Sequence, residues 1–338
     1  MSTYRAFEAT GTHNLRLVER ELIDPAPGHV RLRVEACGVC HTDVLAVEGL
    51  RADPSRPIVP GHEIVGVVDA VGTGVTAWRP GDRAGVGFLN GQCWECESCR
   101  RGDFVNCSNQ EQTGTTIDGG YAEVVYARSS GLVRLPESLS AIDAAPLLCA
   151  GLTTFTALQQ GRARAGALVA VQGIGGLGHL ALQYARSLGH RVAAVARGTE
   201  KEAYARQLGA DEYIDSDSTD PGAALSELGG ASVIVATSSS GSSMNPLVRG
   251  LAPNGRLVVV GATPDPMTVA TTDLIFGTRS ITGNLTGSSI ENEDNLAFAL
   301  AHDIHPSVEV MPFTGALEAY ERMLSGKARF RVVLDVTS

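Results

Sequence analysis

Two rhythms of apolar and polar residues divide the chain. In the first 150 residues apolar positions alternate with polar ones in short runs. Residues 30–36, Val-Arg-Leu-Arg-Val-Glu-Ala, are the clearest case, and such period-two alternation predicts a half-buried antiparallel strand. Residues 63–71, 82–88 and 121–126 read the same way, separated by Pro60-Gly61 and Pro80-Gly81, which favour turns. From about residue 151 continuous apolar runs take over, at 168–172, 191–196, 232–237 and 256–261. Helical stretches lie between them at 177–188, 200–208 and 243–251. Strands alternating with helices predict an α/β fold with a parallel, doubly wound sheet. After about residue 287 the pattern is mixed again and closes on a strand at 330–336. At 338 residues the chain is long for one core, so two domains are expected.

Composition narrows the function classes. A formal net charge of −10 argues against a nucleic-acid surface, which needs a basic patch. No apolar run approaches the roughly 20 residues that cross a bilayer, and residues 1–30 lack a basic stretch followed by an apolar core. The expectation is a soluble, cytoplasmic protein. Glycine is in excess, at 39 residues, which points to tight turns and close backbone approaches. The Ser-rich segment 238–243 follows a predicted strand, where it suits a flexible loop or a small-residue surface under a cofactor.

The strongest chemical signal is Cys93-x2-Cys96-x2-Cys99-x7-Cys107. In a reducing compartment clustered cysteines serve metal rather than disulfides. Four thiolates close a tetrahedral shell around zinc with no open position, so this site is expected to be structural. The second signal is Gly173-Ile174-Gly175-Gly176-Leu177-Gly178, placed after the apolar strand 168–172 and opening a helix. In that setting the glycines permit a tight turn, approach of a pyrophosphate and close helix–strand packing, while the helix start supplies partial positive charge. The next strand ends at Ala196, where a carboxylate would hold the ribose hydroxyls of NAD. Arg197 follows, with Thr199 and Lys201 behind it. The missing acid and the arginine favour NADP(H) over NAD(H).

The segments around Cys40, around His62 and around Cys149 are individually weak. Together with the cysteine lobe and the glycine fingerprint they resemble the zinc-dependent medium-chain alcohol dehydrogenases along the whole chain. The resemblance implies a mostly-β, GroES-like catalytic domain from residues 1–150 and 287–338, with a Rossmann domain, 151–286, inserted between. It implies a second zinc, catalytic, on Cys40, His62 and Cys149. Glu63 would coordinate that ion in a resting state or stand behind it, and Asp43 would orient His62. Thr42 would start the proton relay, His41 would face the pyrophosphate and Thr153 would pack near the nicotinamide. Leu50, Phe88 and Leu89 match pocket walls, and Cys37 reads as a core residue. Leu45 replaces a histidine that many relatives use to release the proton, which leaves water, His41 or Glu48 as the exit. The implied reaction interconverts primary or small secondary alcohols and aldehydes or ketones. Its alternatives are reduction of conjugated carbonyl or iminium compounds on the same scaffold, or a non-catalytic zinc- and nucleotide-binding protein. The resemblance also implies a homo-oligomer, with a tetramer favoured over a dimer and the strand near 280–285 pairing across two copies.

Overall fold

A computed structural model describes residues 2–11, 13–51 and 53–338. In chain order the strands are β1 (Thr3–Ala9), β2 (Leu15–Glu21), β3 (His29–Val39), β4 (Glu63–Val71), β5 (Arg83–Val86), β6 (Val124–Arg128) and β7 (Leu132–Arg134). They continue with β8 (Leu168–Gln172), β9 (Arg191–Ala196), β10 (Glu212–Asp215), β11 (Ala231–Ala236), β12 (Leu251–Val259), β13 (Ser280–Gly283), β14 (Val308–Pro312) and β15 (Arg331–Asp335). The chain forms two compact units. The first holds residues 1–149, 287–300 and 305–338, and the second holds residues 150–286 and 301–304.

The first unit is built on a sheet ordered β14-β15-β3-β4-β5-β7, with β6 also on β3, beside a separate β1-β2 hairpin. Alternation puts Val30, Leu32 and Val34 into its core, with Ile64, Tyr121, Phe313 and Tyr320. Two registers in this sheet decide where the chemistry falls. Gly38 pairs Glu63 across antiparallel β3 and β4, so the residues just past one strand and just before the other, Cys40 and His62, become neighbours. Val332 pairs Val39 across antiparallel β15 and β3, which delivers Arg331 to the same end.

The second unit is a parallel sheet ordered β10-β9-β8-β11-β12-β13. The order reverses beside β8, the switch point at which open α/β sheets bind ligands. Buried Ala170, Ala193, Val195, Ile234 and Leu257 fill its core.

Two expectations are corrected. Residues 243–251 are not one α-helix: a 3-10 segment that includes Pro246 covers Ser242–Val248, and Leu251 already begins β12. The chain also does carry a long apolar helix, Ala141–Gly161, of 21 residues. Pro146, Gly151 and three threonines break up its apolar run in the sequence. Of its most apolar window 78% is buried inside the protein, as in the core helix of a folded domain.

Candidate metal centre and nucleotide-binding site

The sheet ends bring Cys40 and His62 together, and the helix system after Ala141 adds Cys149. Helix Ala141–Pro146, capped by the Ser140 hydroxyl accepting from the Asp143 amide, runs into a π-turn, Leu147–Gly151. Cys149 sits within that widened turn. The ligand atoms of Cys40, His62, Glu63 and Cys149 all lie within 4.8 Å of one another. Cys149 Sγ is 4.0 Å from Cys40 Sγ and 3.3 Å from His62 Nε2. Zinc bonds of about 2.3 Å to sulfur and 2.0–2.1 Å to nitrogen give tetrahedral edges of about 3.8 and 3.6 Å. The donor set therefore fits zinc, and the sulfurs are too far apart for a disulfide bond.

Charges around these ligands are arranged in pairs. Asp43 Oδ1 lies 3.3 Å from His62 Nδ1, at ion-pair distance but off the line of a well-formed hydrogen bond. The other oxygen of Asp43 accepts from the Tyr121 hydroxyl at 2.9 Å and from the Cys40 amide at 2.9 Å, which fixes the carboxylate. Burial pulls the basicity of His62 down, but the Cys40 thiolate and Asp43 outweigh it and the ring is held well above its usual pKa. Cys40 and Cys149 split in opposite directions. The hydrogen bond from Cys149, aided by His62, lowers Cys40, and the same contact raises Cys149.

Glu63 is fully buried, pairs with the guanidinium of Arg331 and is pushed up to about 7 by burial, against the pull of Arg331. Its Oε2 has no hydrogen-bond partner among the described residues. A Cβ on Gly38 would lie 2.0 Å from that oxygen, so only glycine leaves room for this carboxylate. Arg331, which also donates to the Val39 carbonyl at 3.2 Å, went unrecognised in the sequence. The signal was a cation at the head of an otherwise apolar strand, Arg-Val-Val-Leu.

The remaining predicted residues of this unit divide. Phe88 packs its ring edge-on to His62, with centroids 5.3 Å apart, and Leu89 is buried. Leu50 is 65% exposed and lines no core. Thr42 Oγ1 is 3.7 Å from Cys40 Sγ, and His41 is exposed. Glu48 is already engaged, by His13 Nδ1 at 2.7 Å and the Tyr320 hydroxyl at 2.9 Å. Cys37 is fully buried, and burial raises its thiol. In the lobe, the sulfurs of Cys93, Cys96, Cys99 and Cys107 also lie within 4.8 Å of one another, with Cys93 and Cys99 3.9 Å apart. Main-chain amides of Cys96 and Cys93 point at Cys93 Sγ (3.4 Å) and Cys107 Sγ (3.5 Å). All seven cysteines are free of disulfides.

In the second unit, Gly173 has a φ of +90°, and a Cβ on Gly178 would meet the Gly173 carbonyl at 1.8 Å. Nothing lies within 4 Å of a Cβ built on Gly175, an open face at the sheet's switch point. Gly176 and Leu177 complete the turn, with Leu177 at the cap of helix Gly178–Ser187. Arg197 is exposed directly after β9, and Lys201 Nζ donates to the Ile174 carbonyl at 2.7 Å, bridging to the glycine turn. Thr153 is buried in helix Leu152–Gly161.

The chain is similar to known proteins along most of its length. A model of the alcohol dehydrogenase GroES-like domain matches residues 26–137, and one of the zinc-binding dehydrogenases matches residues 176–301. The chain is 45% identical to alcohol dehydrogenase notN of Aspergillus sp. (strain MF297-2), covering 96% of this chain and 95% of that protein. It is 42% identical to alcohol dehydrogenase patD of Penicillium expansum, covering 99% and 98%. A cinnamyl alcohol dehydrogenase structure from Sorghum bicolor superposes with a TM-score of 0.89 at 33% identity, covering 100% of this chain and 98% of that one.

Proposed function

Because the chain belongs to the zinc-dependent medium-chain alcohol dehydrogenases, we propose that it interconverts primary or small secondary alcohols and their aldehydes or ketones, exchanging hydride with NAD(P). The observation that carries this reading is the convergence of Cys40, His62 and Cys149 on one buried point, with the Glu63–Arg331 pair behind them. When bound there, zinc supplies a Lewis acid that acidifies an alcohol hydroxyl and polarises a carbonyl. Cys40, His62 and Cys149 hold it, and Asp43 steadies the far side of the His62 ring. Glu63, with one oxygen unpaired among the described residues, stands as an alternate ligand. Thr42 receives the substrate proton. Leu45 offers no onward acceptor and Glu48 is engaged by His13 and Tyr320, so the proton leaves through water or the exposed His41. Phe88 and Leu89 supply an apolar wall, with Leu50 at the rim.

Cys93, Cys96, Cys99 and Cys107 hold a second, structural zinc, which makes two ions per chain. The first compact unit is the catalytic domain and the second binds the cofactor on Gly173, Gly175, Gly176, Leu177 and Gly178. Ala196, Arg197 and Lys201 favour NADP(H). Among the described residues no strand pairs with the outer edge of β13, and Ile275, Phe276, Ile281 and Leu285 are exposed near it in the sequence; both facts support a homo-oligomer, and the family resemblance favours a tetramer. Steady-state oxidation of 1-propanol, benzyl alcohol and 2-propanol with NAD and NADP, before and after chelation, tests the reading. Zinc-dependent turnover with an NADP preference is expected. NAD preference overturns the role of Arg197 alone. No turnover in zinc-replete protein would replace alcohol oxidation by reduction of conjugated carbonyl or iminium compounds.

A further inference from the structure

The third metal ligand sits on an irregular stretch of backbone, and two buried amides hold that backbone in place. A π-turn widens the helix by one residue, and such turns recur at functional sites. It also changes which amide each carbonyl meets, so some carbonyls need other donors. Two of them find side chains. Asn295 Nδ2 donates to the Leu147 carbonyl at 3.0 Å, and Asn292 Nδ2 donates to the Leu148 carbonyl at 3.1 Å. The second hydrogen of the Asn295 amide goes to Asn292 Oδ1 at 3.2 Å. Both asparagines lie one turn apart on helix Ser289–Ala301 and are essentially fully buried. Placing two amides in a core is costly unless each is satisfied, and here both donate to the two residues that precede Cys149.

The packing on the other side points the same way. A Cβ on Gly87 would lie 3.2 Å from the Leu148 carbonyl and 3.6 Å from Asn292 Nδ2, and one on Gly85 would lie 2.8 Å from a Leu148 methyl. Leu148 is thus seated against β5 and its extension, and both Leu147 and Leu148 have 0% exposure. A slip from π to α pairing would turn the following residue by one helical step, about 100°. For Cys149 that is the difference between facing Cys40 and His62 and facing away.

We infer that Asn292 and Asn295 are positioning residues for the metal site, whose amides lock the π-turn in the arrangement that aims Cys149 Sγ at Cys40 and His62. This rests on the zinc reading above. None of the sequence signals reached it, because the two asparagines are about 145 residues from the turn they hold and match no motif.

The test compares Asn292→Leu, Asn295→Leu and the double variant with the unaltered chain. These variants keep the branched shape of the side chain, at a larger volume, and remove the donors. Zinc retention is read by competition with a chromophoric chelator, and the geometry of the buried site by the visible absorption of cobalt-substituted protein. The Cys93–Cys107 lobe, in the same molecule, is the control. The expected result is retention weakened about 10–100-fold at the buried site, with a shifted cobalt spectrum and an unchanged lobe. Unchanged retention and spectrum overturn the inference, and so does a parallel weakening of both sites with a fall in Tm, which marks a merely structural role. Should the leucine variants not fold, Asn292→Ser and Asn295→Ser are read by the same assay and the same criteria. An unaltered chain that binds only one zinc refutes the underlying metal reading. An unaltered chain that binds two, with variants that match it, refutes the positioning role alone.

Discussion

The two cysteine-bearing centres are built by opposite means. The lobe takes its four sulfurs from one short segment, residues 93–107, and main-chain amides point at those of Cys93, Cys96 and Cys107. Amides from Cys99 and Ser108 lower the Cys96 thiol to about 6, so the backbone itself prepares the ligand. The buried site takes its ligands from a strand end, a strand start and a π-turn, and it is prepared by side chains: Asp43, Glu63, Arg331, Tyr121 and the two asparagines. On the proposed reading, a centre that only needs to hold a metal is served by local chain geometry, and one that must keep a face available for chemistry needs contacts from across the fold.

The sharpest way to break this contrast is to remove one sulfur from each centre. Cys149→Ser is expected to drop turnover to background and the zinc count by one, with little change in Tm. Cys99→Ser should also lose one zinc, but with a marked fall in Tm, since structural zinc contributes directly to folding. Equal Tm losses in the two variants would erase the distinction. Next in size, Arg331→Met leaves the Glu63 carboxylate buried and unpaired. Breaking such a pair costs about 3–5 kcal/mol, which denaturant unfolding of the variant will read directly. An effect under about 1 kcal/mol would mean that the pair is solvated and that side-chain charge does not organise the site.

Smaller effects test the periphery. Arg197→Ala should raise the KM for NADP about 10-fold while sparing NAD, in line with one charge-assisted hydrogen bond; equal changes for both cofactors would remove Arg197 from the 2′-phosphate. The smallest effect concerns the exposed His13. Its hydrogen bond with Glu48, with a further contribution from Glu321, raises its pKa. A raised folded-state value adds stability that is complete below the ordinary value of about 6.5 and is lost as pH rises through the folded one. Tm should therefore fall slightly as pH rises above about 6.5, and His13→Gln should flatten the slope. A slope that survives in the variant would assign the effect elsewhere.

The same contrast explains what could be read from the sequence. The lobe and the glycine turn are local, so spacing and a strand–turn–helix setting revealed them. The β-alternation of residues 30–36 likewise found the strand that leads into Cys40. Cys40, His62 and Cys149 emerged only through resemblance, because no local pattern joins residues from three segments. Arg331 and the asparagines were missed for the same reason: each is defined by a partner more than 140 positions away. The helix at 141–161 was missed because proline, glycine and threonine interrupt its apolar run, while tertiary packing carries it through.

The register that seats Arg331 beside Cys40 also sets an order of assembly during synthesis. Glu63 and Arg331 are separated by 268 positions, which at about 5–20 residues per second is roughly 13–54 s of translation. Until β15 arrives, a nascent chain holding β3 and β4 carries the Glu63 carboxylate without its partner Arg331. The lobe, complete once Cys107 has emerged, faces no such wait. Metal loading on the ribosome would then proceed in sequence, with the lobe filling early and the buried centre maturing only after the last strand docks.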